Sequence, residues 1–279
     1  MSIQTKALLM KCTIGVWSGT IKDNKALKEY LTQHKMSDDA GSMNKHLIAK
    51  SALKSITNEV SAIREFHRNM TMPWNLDGVG LLLNERLLEY MSGMRELKQS
   101  FEVAVQNFLT HYDVYISDAR LRLGDRFQQN EFPPKEYLAT RFYVDVSPLP
   151  IPTSEHLLTD LTDSGLDKSM IDKAVEDAQN KAMQRMWQTL YARLQHFSTA
   201  LEEDKTFKRT TIEKLDEHVN RLREFNFYAD KKFESLMKFI EINITSNNAD
   251  DIRKNKDVRN AIQKTLAEAL IACKPYIGD

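Results

Sequence analysis

The sequence predicts a mainly α-helical protein of the α+β class, in which an elongated antiparallel three-helix bundle, or coiled-coil stalk, carries a small sheet-containing head. Apolar residues recur every three and four positions in three long segments, two short runs alternate apolar and polar residues, and only 9 Gly and 7 Pro interrupt 279 residues. We expect the head to comprise residues 1–83 with 124–167, the stalk 84–123 with 168–245, and a last helix 246–279.

Three short runs predict a small sheet with one buried face in the head. The first run places five apolar residues at alternate positions: Leu8, Met10, Cys12, Ile14 and Val16. In the second run, Phe142, Val144 and Val146 alternate with polar neighbours. Pro148 ends that run, because proline cannot donate to a strand ladder. The apolar residues 80–83 are a third candidate strand.

Helical periodicity dominates the rest of the chain. Short amphipathic helices are expected at 23–33 and 51–70. The strongest signal lies at 84–123, where a four-three repeat predicts a helix on the order of 57 Å long that ends before Gly124. The repeat consists of these residues: Leu87, Met91, Met94, Phe101, Val105, Phe108, Tyr112, Tyr115 and Ala119.

Two more long helices are expected, one capped by Asp167 and one beginning near Thr211. The seam of the earlier helix consists of Met183, Trp187, Leu190, Leu194, Phe197 and Leu201. The seam of the later helix consists of Ile212, Leu215, Val219, Leu222 and Phe225, continued by Phe233, Leu236, Met237 and Ile240. Only a short polar stretch separates the two helices, which predicts that they are antiparallel neighbours.

The motifs of common enzymes and metal proteins are absent from the sequence. Cys12 and Cys273 are too far apart for a metal or redox pair, and the glycines at 78 and 80 lack the third glycine of a dinucleotide site. The loop at 160–167 resembles the start of a calcium loop, but its twelfth position is Ile171 instead of a bidentate glutamate. We therefore expect no metal, no cofactor and no enzymatic activity, although scattered carboxylates leave a hidden site open as a third alternative.

The expected location is the cytoplasm. The N-terminus lacks the apolar core of a signal peptide, and no apolar run approaches the roughly 18–20 residues of a membrane span. The formal net charge is zero, so no overall field directs the chain to nucleic acid or anionic lipid.

The segment 70–80 is too irregular for a helix or strand, yet it contains Trp74 beside Asp77 and Gly78. In one interpretation, Trp74 fills the junction between head and stalk. In the other, it is an anchor for a partner, because tryptophan is enriched at interaction hot spots. We therefore include Trp74, Asp77 and Gly78, together with Trp187, Leu190 and Leu194 of the seam, as candidate interaction residues.

Two clusters of basic residues raise the alternative of nucleic-acid binding. They consist of Lys22, Lys25, Lys28, Lys45, Lys50 and Lys54 near the N-terminus and of Arg253, Lys254, Lys256 and Arg259 near the C-terminus. Neither cluster is interleaved with the aromatic residues on which single-stranded bases stack.

The order of several short motifs resembles an uncharacterised family of phage and bacterial proteins of about this length. The motifs are Asp39, Ala40 and Gly41; Asn44 and Lys45; Ala62, Ile63 and Arg64; Pro73 and Trp74; Asp77 and Gly78; Tyr90; Met94, Arg95 and Glu96; Leu123 and Gly124; and Pro148, Leu149 and Pro150. The resemblance covers residues 8–200 and implies a phage accessory protein of unassigned activity. It also implies gene neighbours that encode MoxR-type AAA+ ATPases and von Willebrand A-domain proteins.

Together these observations favour a non-enzymatic, oligomerising interaction protein, an adaptor in a phage-encoded assembly. Its expected partners are further copies of itself and an AAA+ ATPase or von Willebrand A-domain protein. The alternative is a phage protein that binds nucleic acid through its N-terminal lysines.

Overall fold

The structure is a computed structural model, and the residues that it describes are 3–74, 76–152, 168–202, 209–226 and 230–278. The chain is mainly helical with a small antiparallel sheet of four strands, which confirms the mainly α-helical α+β part of the predicted fold class. The loop at 160–167, with the predicted Asp167 cap, lies outside the described residues.

The chain divides into two compact units, each formed from separated segments. The first unit comprises Met1–Leu9, Thr71–Glu85 and Leu149–Asp279, and the second comprises Met10–Met70 and Arg86–Pro148. This division differs from the predicted head and stalk. It places the long helix at 84–123 almost entirely in the second unit, and the helices after residue 168 in the first. A bundle of those three helices is therefore not confirmed.

The described strands are β1 (Ala7–Gly15), β2 (Thr20–Lys22), β3 (Asn44–His46), β4 (Met72–Pro73), β5 (Val79–Leu83) and β6 (Tyr143–Leu149). One sheet has the order β4-β5-β1-β6, and β2 pairs with β3 in a separate ladder. In the antiparallel β4–β5 pair, Met72 lies opposite Leu81, and in the antiparallel β2–β3 pair Ile21 lies opposite Lys45. All five residues of β5 are buried, so this strand does not follow the predicted pattern of one buried face.

The described helices are α1 (Ile3–Lys6), α2 (Asn24–Gln33), α3 (Lys54–Met70), α4 (Leu87–Thr110), α5 (Tyr112–Leu123), α6 (Lys135–Arg141), α7 (Lys168–Glu202), α8 (Arg209–Glu224), α9 (Lys231–Ile240), α10 (Ala249–Lys254) and α11 (Lys256–Ile277). The predicted helix after residue 211 is thus two helices. Asn226 interrupts it, because its carboxamide accepts from the amide of Asp230 at 2.9 Å. The Asp230 carboxylate then caps α9 by accepting from the amides of Lys232 and Phe233.

The first unit has its core between α7, α8, α9 and α11. The predicted seam of α7 is its buried face, and Leu190, Leu194 and Phe197 are almost inaccessible to solvent. Helix α7 packs extensively against α11 and also contacts α8. Trp187 stacks on Tyr276 of α11, with ring centroids 4.3 Å apart, and meets Phe233 of α9 edge-on at 4.9 Å.

The second unit is organised around α4, which packs against α3 and α6. Gly93 of α4 permits the close approach of α3, since a Cβ atom at this position would lie 2.4 Å from the ring of Phe66. At the other end of α4, Phe108 lies among Trp17, Tyr112 and Phe142, with ring centroids 5.6–6.2 Å away. The predicted apolar repeat of the long helix is mostly the buried face of α4 and α5, which confirms its orientation.

Candidate interaction surface

Helices α4 and α5 form a nearly continuous rod within the second unit. The interruption is a single residue, His111, and hydrogen bonds with helical spacing continue on both sides of it. The amide of His111 donates to the carbonyl of Asn107 at 3.2 Å, and the amide of Tyr115 donates to the carbonyl of His111 at 3.1 Å. The residues of α5 therefore continue the faces of α4.

The side of this rod opposite the aromatic cluster carries a stripe of exposed residues without charge. Its members follow a four-three spacing from residue 103 to residue 121, which keeps them on one side of a helix. They are Val103, Asn107, Thr110, Val114, Ser117 and Leu121, and we call them the outer face. Val103, Val114 and Leu121 are 65%, 55% and 85% exposed, so three large apolar side chains face solvent in one register.

Helix α5 is apolar on two opposite sides, because Tyr112 and Ala119 are buried whereas Val114 and Leu121 are exposed. A helix on the surface of a globular protein normally carries polar and charged residues on its outer side. An exposed stripe of apolar and uncharged residues is instead typical of a surface that another protein covers. The outer face was missed by the sequence reasoning, which followed only the buried repeat.

Two of the three polar members of the outer face already have their hydroxyl groups bonded within the helix. The hydroxyl of Thr110 donates to the carbonyl of Gln106 at 2.9 Å, and that of Ser117 donates to the carbonyl of Asp113 at 2.9 Å. Because these two hydroxyl donors are satisfied inside the helix, burying them against a partner leaves neither of them unpaired.

A cluster of charged residues fixes the chain just after α5. Arg122 donates to the carbonyls of His46 and Leu47 at 2.7 and 3.0 Å. The ammonium of Lys45, which is 8% exposed, bonds the carboxylate of Glu131 at 2.7 Å and the carbonyl of Arg126 at 3.0 Å. These bonds hold β3 against residues 124–131 and so fix the end of the rod that carries Leu121.

Arg126 extends the cluster to α2. Its guanidinium lies 3.3 Å from a carboxylate oxygen of Asp23 and 2.7 Å from one of Glu29. Asp23 caps α2 by accepting from the amide of Ala26 at 2.9 Å, and this bond, aided by Arg126, lowers the pKa of the carboxyl group. The cluster lines an open cavity of about 460 Å³. Its cations already bond acids or carbonyls of the same chain, so we assign the cluster a structural role.

Buried titratable groups in the second unit are held in their neutral forms. The Nδ1 atom of His67 lies 2.8 Å from the hydroxyl of Tyr90. Burial lowers the pKa of His67, and burial, with a smaller effect of Cys12, raises the pKa of Tyr90. Burial likewise raises the pKa of the Cys12 thiol. A neutral thiol and a neutral phenol are poor nucleophiles, so this trio does not have the features of an activated catalytic group.

The first unit also contains titratable groups that burial keeps in their neutral forms. Burial lowers the pKa of His218 to about 3, with smaller effects of Arg221 and Arg193, and Nδ1 of His218 lies 2.8 Å from the guanidinium of Arg221. Burial raises the pKa of the Cys273 thiol to about 12. Both groups are therefore neutral at physiological pH.

The candidate interaction residues from the sequence all belong to the first unit, where most are covered by their own chain. Trp74 is 4% exposed, and its carbonyl accepts from the guanidinium of Arg185 at 2.7 Å. Asp77 and Gly78 are exposed in the turn before β5, and Gly78 has a φ of 71°. Three residues of the α7 seam are buried in the core: Trp187, Leu190 and Leu194. A role of these residues in partner binding stays a prediction.

The basic residues suggested for nucleic-acid binding are mostly exposed. Lys22, Lys25, Lys28, Lys50 and Lys54 face solvent, whereas Lys45 is buried in its ion pair with Glu131.

Comparison with protein-family models, with curated proteins and with solved structures finds no match to this chain. Among the described residues, no group of three His, Cys, Asp or Glu side chains is placed to hold a metal ion. None of the described helices combines the length and the apolar character needed to cross a membrane.

Proposed function

We propose that this chain is an oligomerising interaction protein, an adaptor that acts by binding other proteins and not by catalysing a reaction. The exposed apolar residues of the outer face support this proposal. Leu121 is 85% exposed. Covering such a large apolar side chain with another surface removes it from water and stabilises the complex. Val103, Val114 and Leu121 lie on the same side of α4 and α5, so a partner can contact all three at once.

The electrostatic state of the interior also favours this function over catalysis. Catalytic groups need pKa values close to the working pH, whereas burial moves the pKa values of His67 and His218 down and those of Cys12 and Cys273 up. Each of these groups stays neutral, and three of them, His67, His218 and Cys273, are buried. As the sequence resemblance suggests, we place the adaptor in a phage-encoded assembly, with an AAA+ ATPase or a von Willebrand A-domain protein as the partner to test first.

The test is affinity capture of the full chain from cells that carry its native gene neighbourhood, after nuclease treatment, with mass spectrometry of the captured proteins. Val114→Lys places a charge in the middle of the outer face, and Asp118, four residues further along the helix, offers that lysine an opposite charge. Leu88→Lys is the matched control, since Leu88 is also 85% exposed on α4 but lies outside the outer face.

We expect specific proteins to be captured by the wild-type chain and by Leu88→Lys, and to be lost from Val114→Lys. Thermal unfolding of the three proteins checks that the fold is unchanged. Capture that is identical for all three proteins contradicts an interaction function of the outer face. Recovery of nucleic acid alone, lost on nuclease treatment, favours the alternative of a nucleic-acid-binding protein.

A further inference from the structure

We infer that the outer face binds the same outer face of a second copy of this chain, with the two α4–α5 rods antiparallel about a twofold axis near Tyr112. This inference rests on the proposed interaction function and names the partner of that surface. It follows from the symmetry of the stripe, the charges beside it and the bonding of its polar members.

The outer face is symmetric about position 112. In an antiparallel pair centred there, Val103 lies opposite Leu121 of the second copy, Asn107 opposite Ser117, and Thr110 opposite Val114. Apolar residues thus meet at both ends, two polar residues meet between them, and Thr110, whose hydroxyl already bonds the carbonyl of Gln106, meets Val114. A twofold contact requires such self-complementarity, because the same surface is used by both copies.

The charges beside the stripe also suit this arrangement. Glu102 and Arg120 are exposed on the same flank of the rod, 18 residues apart, which is about five full helical turns. In an antiparallel pair, this flank faces the same flank of the second copy. Glu102 then lies within about 3 Å along the axis of the position opposite Arg120, and the twofold axis forms this pair twice.

Neither charge is already neutralised by an ion pair within the described residues. Arg120 stacks its guanidinium on Phe127 at 4.9 Å and makes a long bond of 3.5 Å to Gln129, which leaves its charge available. Asp113, on the same flank, bonds Lys135 at 2.6 Å. In a parallel pair, the flank that carries Glu102 and Arg120 would face the opposite flank of the second copy, and this charge pair could not form. The two charges therefore favour the antiparallel direction.

The expected dimer is weak, because the outer face extends only about 27 Å along the rod and contains three large apolar residues per copy. Its population therefore depends strongly on protein concentration. A dimer of this kind exchanges readily, which suits an adaptor that forms and leaves an assembly.

The first experiment is sedimentation velocity of the purified full chain over a wide concentration range, with charge-reversed variants. We expect Glu102→Arg and Arg120→Glu each to weaken the dimer about tenfold, because each places like charges opposite one another twice. The double variant Glu102→Arg/Arg120→Glu should restore the wild-type dissociation constant. Glu65→Arg, an exposed charge reversal on α3, is the matched control and should change nothing.

The second experiment tests the register by disulfide trapping. Thr110→Cys/Val114→Cys places cysteines opposite one another in the antiparallel pair and should give a covalent dimer on oxidation. Val103→Cys/Val114→Cys should not, because neither cysteine faces another in that register. The wild-type chain, which keeps Cys12 and Cys273, controls for the native thiols.

A chain that is monomeric at every concentration overturns the inference, as does a dimer that responds equally to Glu102→Arg and Glu65→Arg. Failure of the double variant to recover overturns the proposed charge pair. These outcomes are distinct from failure of the proposed function. If the chain is a monomer but Val114→Lys still abolishes capture of its cellular partners, the dimer inference fails and the adaptor proposal stands. If the chain is a dimer but captures no other protein, the adaptor proposal is contradicted.

Discussion

Replacement of Leu190 by alanine tests the packing of the first unit most directly. Leu190 is 0% exposed on α7, within the seam predicted from the sequence. The substitution removes three buried carbon atoms at about 0.8 kcal/mol each, or about 2.4 kcal/mol. The cavity that remains adds to this loss, so the expected destabilisation is about 3–4 kcal/mol. For a unit of about 150 residues, the midpoint of thermal unfolding should fall by roughly 6–16 °C.

Tryptophan fluorescence can follow the first unit separately. Trp74 and Trp187 belong to it, whereas Trp17 belongs to the second unit. In a Trp17→Phe background, the emission therefore reports the first unit alone. Gln195→Ala, on the exposed side of α7, is the matched control and should change the free energy of unfolding by less than about 0.5 kcal/mol.

A loss below about 1 kcal/mol for Leu190→Ala, similar to that of the control, would refute the assignment of α7 as a buried helix. Leu190→Asp and Leu194→Asp should prevent folding of the first unit altogether, because each buries a charge without a partner. If either variant stays folded, the heptad interpretation of this helix is wrong.

Three further predictions concern buried contacts. Lys45→Met should cost about 2–3 kcal/mol in urea unfolding, because it leaves Glu131 poorly compensated, and Lys45→Met/Glu131→Gln should recover part of that loss. His218, with its lowered pKa, contributes stability that is full above pH 6.5 and falls by about 1.4 kcal/mol per pH unit toward pH 3, since the unfolded chain binds the proton first. His218→Phe should make the free energy of unfolding, measured in urea, depend less on pH between about pH 7 and about pH 5. An unchanged pH dependence would contradict the conclusion that His218 is buried in its neutral form. Gly93→Ala should destabilise the second unit despite alanine's better helix propensity, because its Cβ atom meets the Phe66 ring. Thermal unfolding of the full chain followed by circular dichroism should show this loss, and Phe66→Leu should relieve it.

Much of the secondary structure could be predicted because it depends on local periodicity. The apolar repeats identified the buried faces of α4, α5 and α7, and alternation located β1 and β6. The ladder between β2 and β3 was missed, because each strand has three residues and the two lie more than 20 residues apart in sequence. The break between α8 and α9 had a signal, the pair of Asn226 and Asp230, but the continuing apolar repeat masked it.

The outer face was harder to predict than the core. Its members were visible as uncharged residues at four-three spacing, yet exposure cannot be read from such a spacing alone. The importance assigned to Trp187, Leu190 and Leu194 came from treating every apolar seam as a possible interface. In the structure, α11 and α9 of the same chain cover that seam, which accounts for its apolar character without a partner.

The interleaving of the two units constrains how the chain folds during synthesis. The second unit ends at Pro148, so all of it has been synthesised when this residue leaves the ribosome. The first unit then still lacks its largest segment, Leu149–Asp279. Until that segment is made, Trp74, Val79, Leu81 and Leu83 lack α7, α8, α9 and α11, the helices of the first unit with which they form one core. A fragment that ends near residue 148 would permanently lack the helices that cover this side of the β4–β5 hairpin. Truncation there should therefore yield an aggregation-prone product, although every residue of the second unit is present.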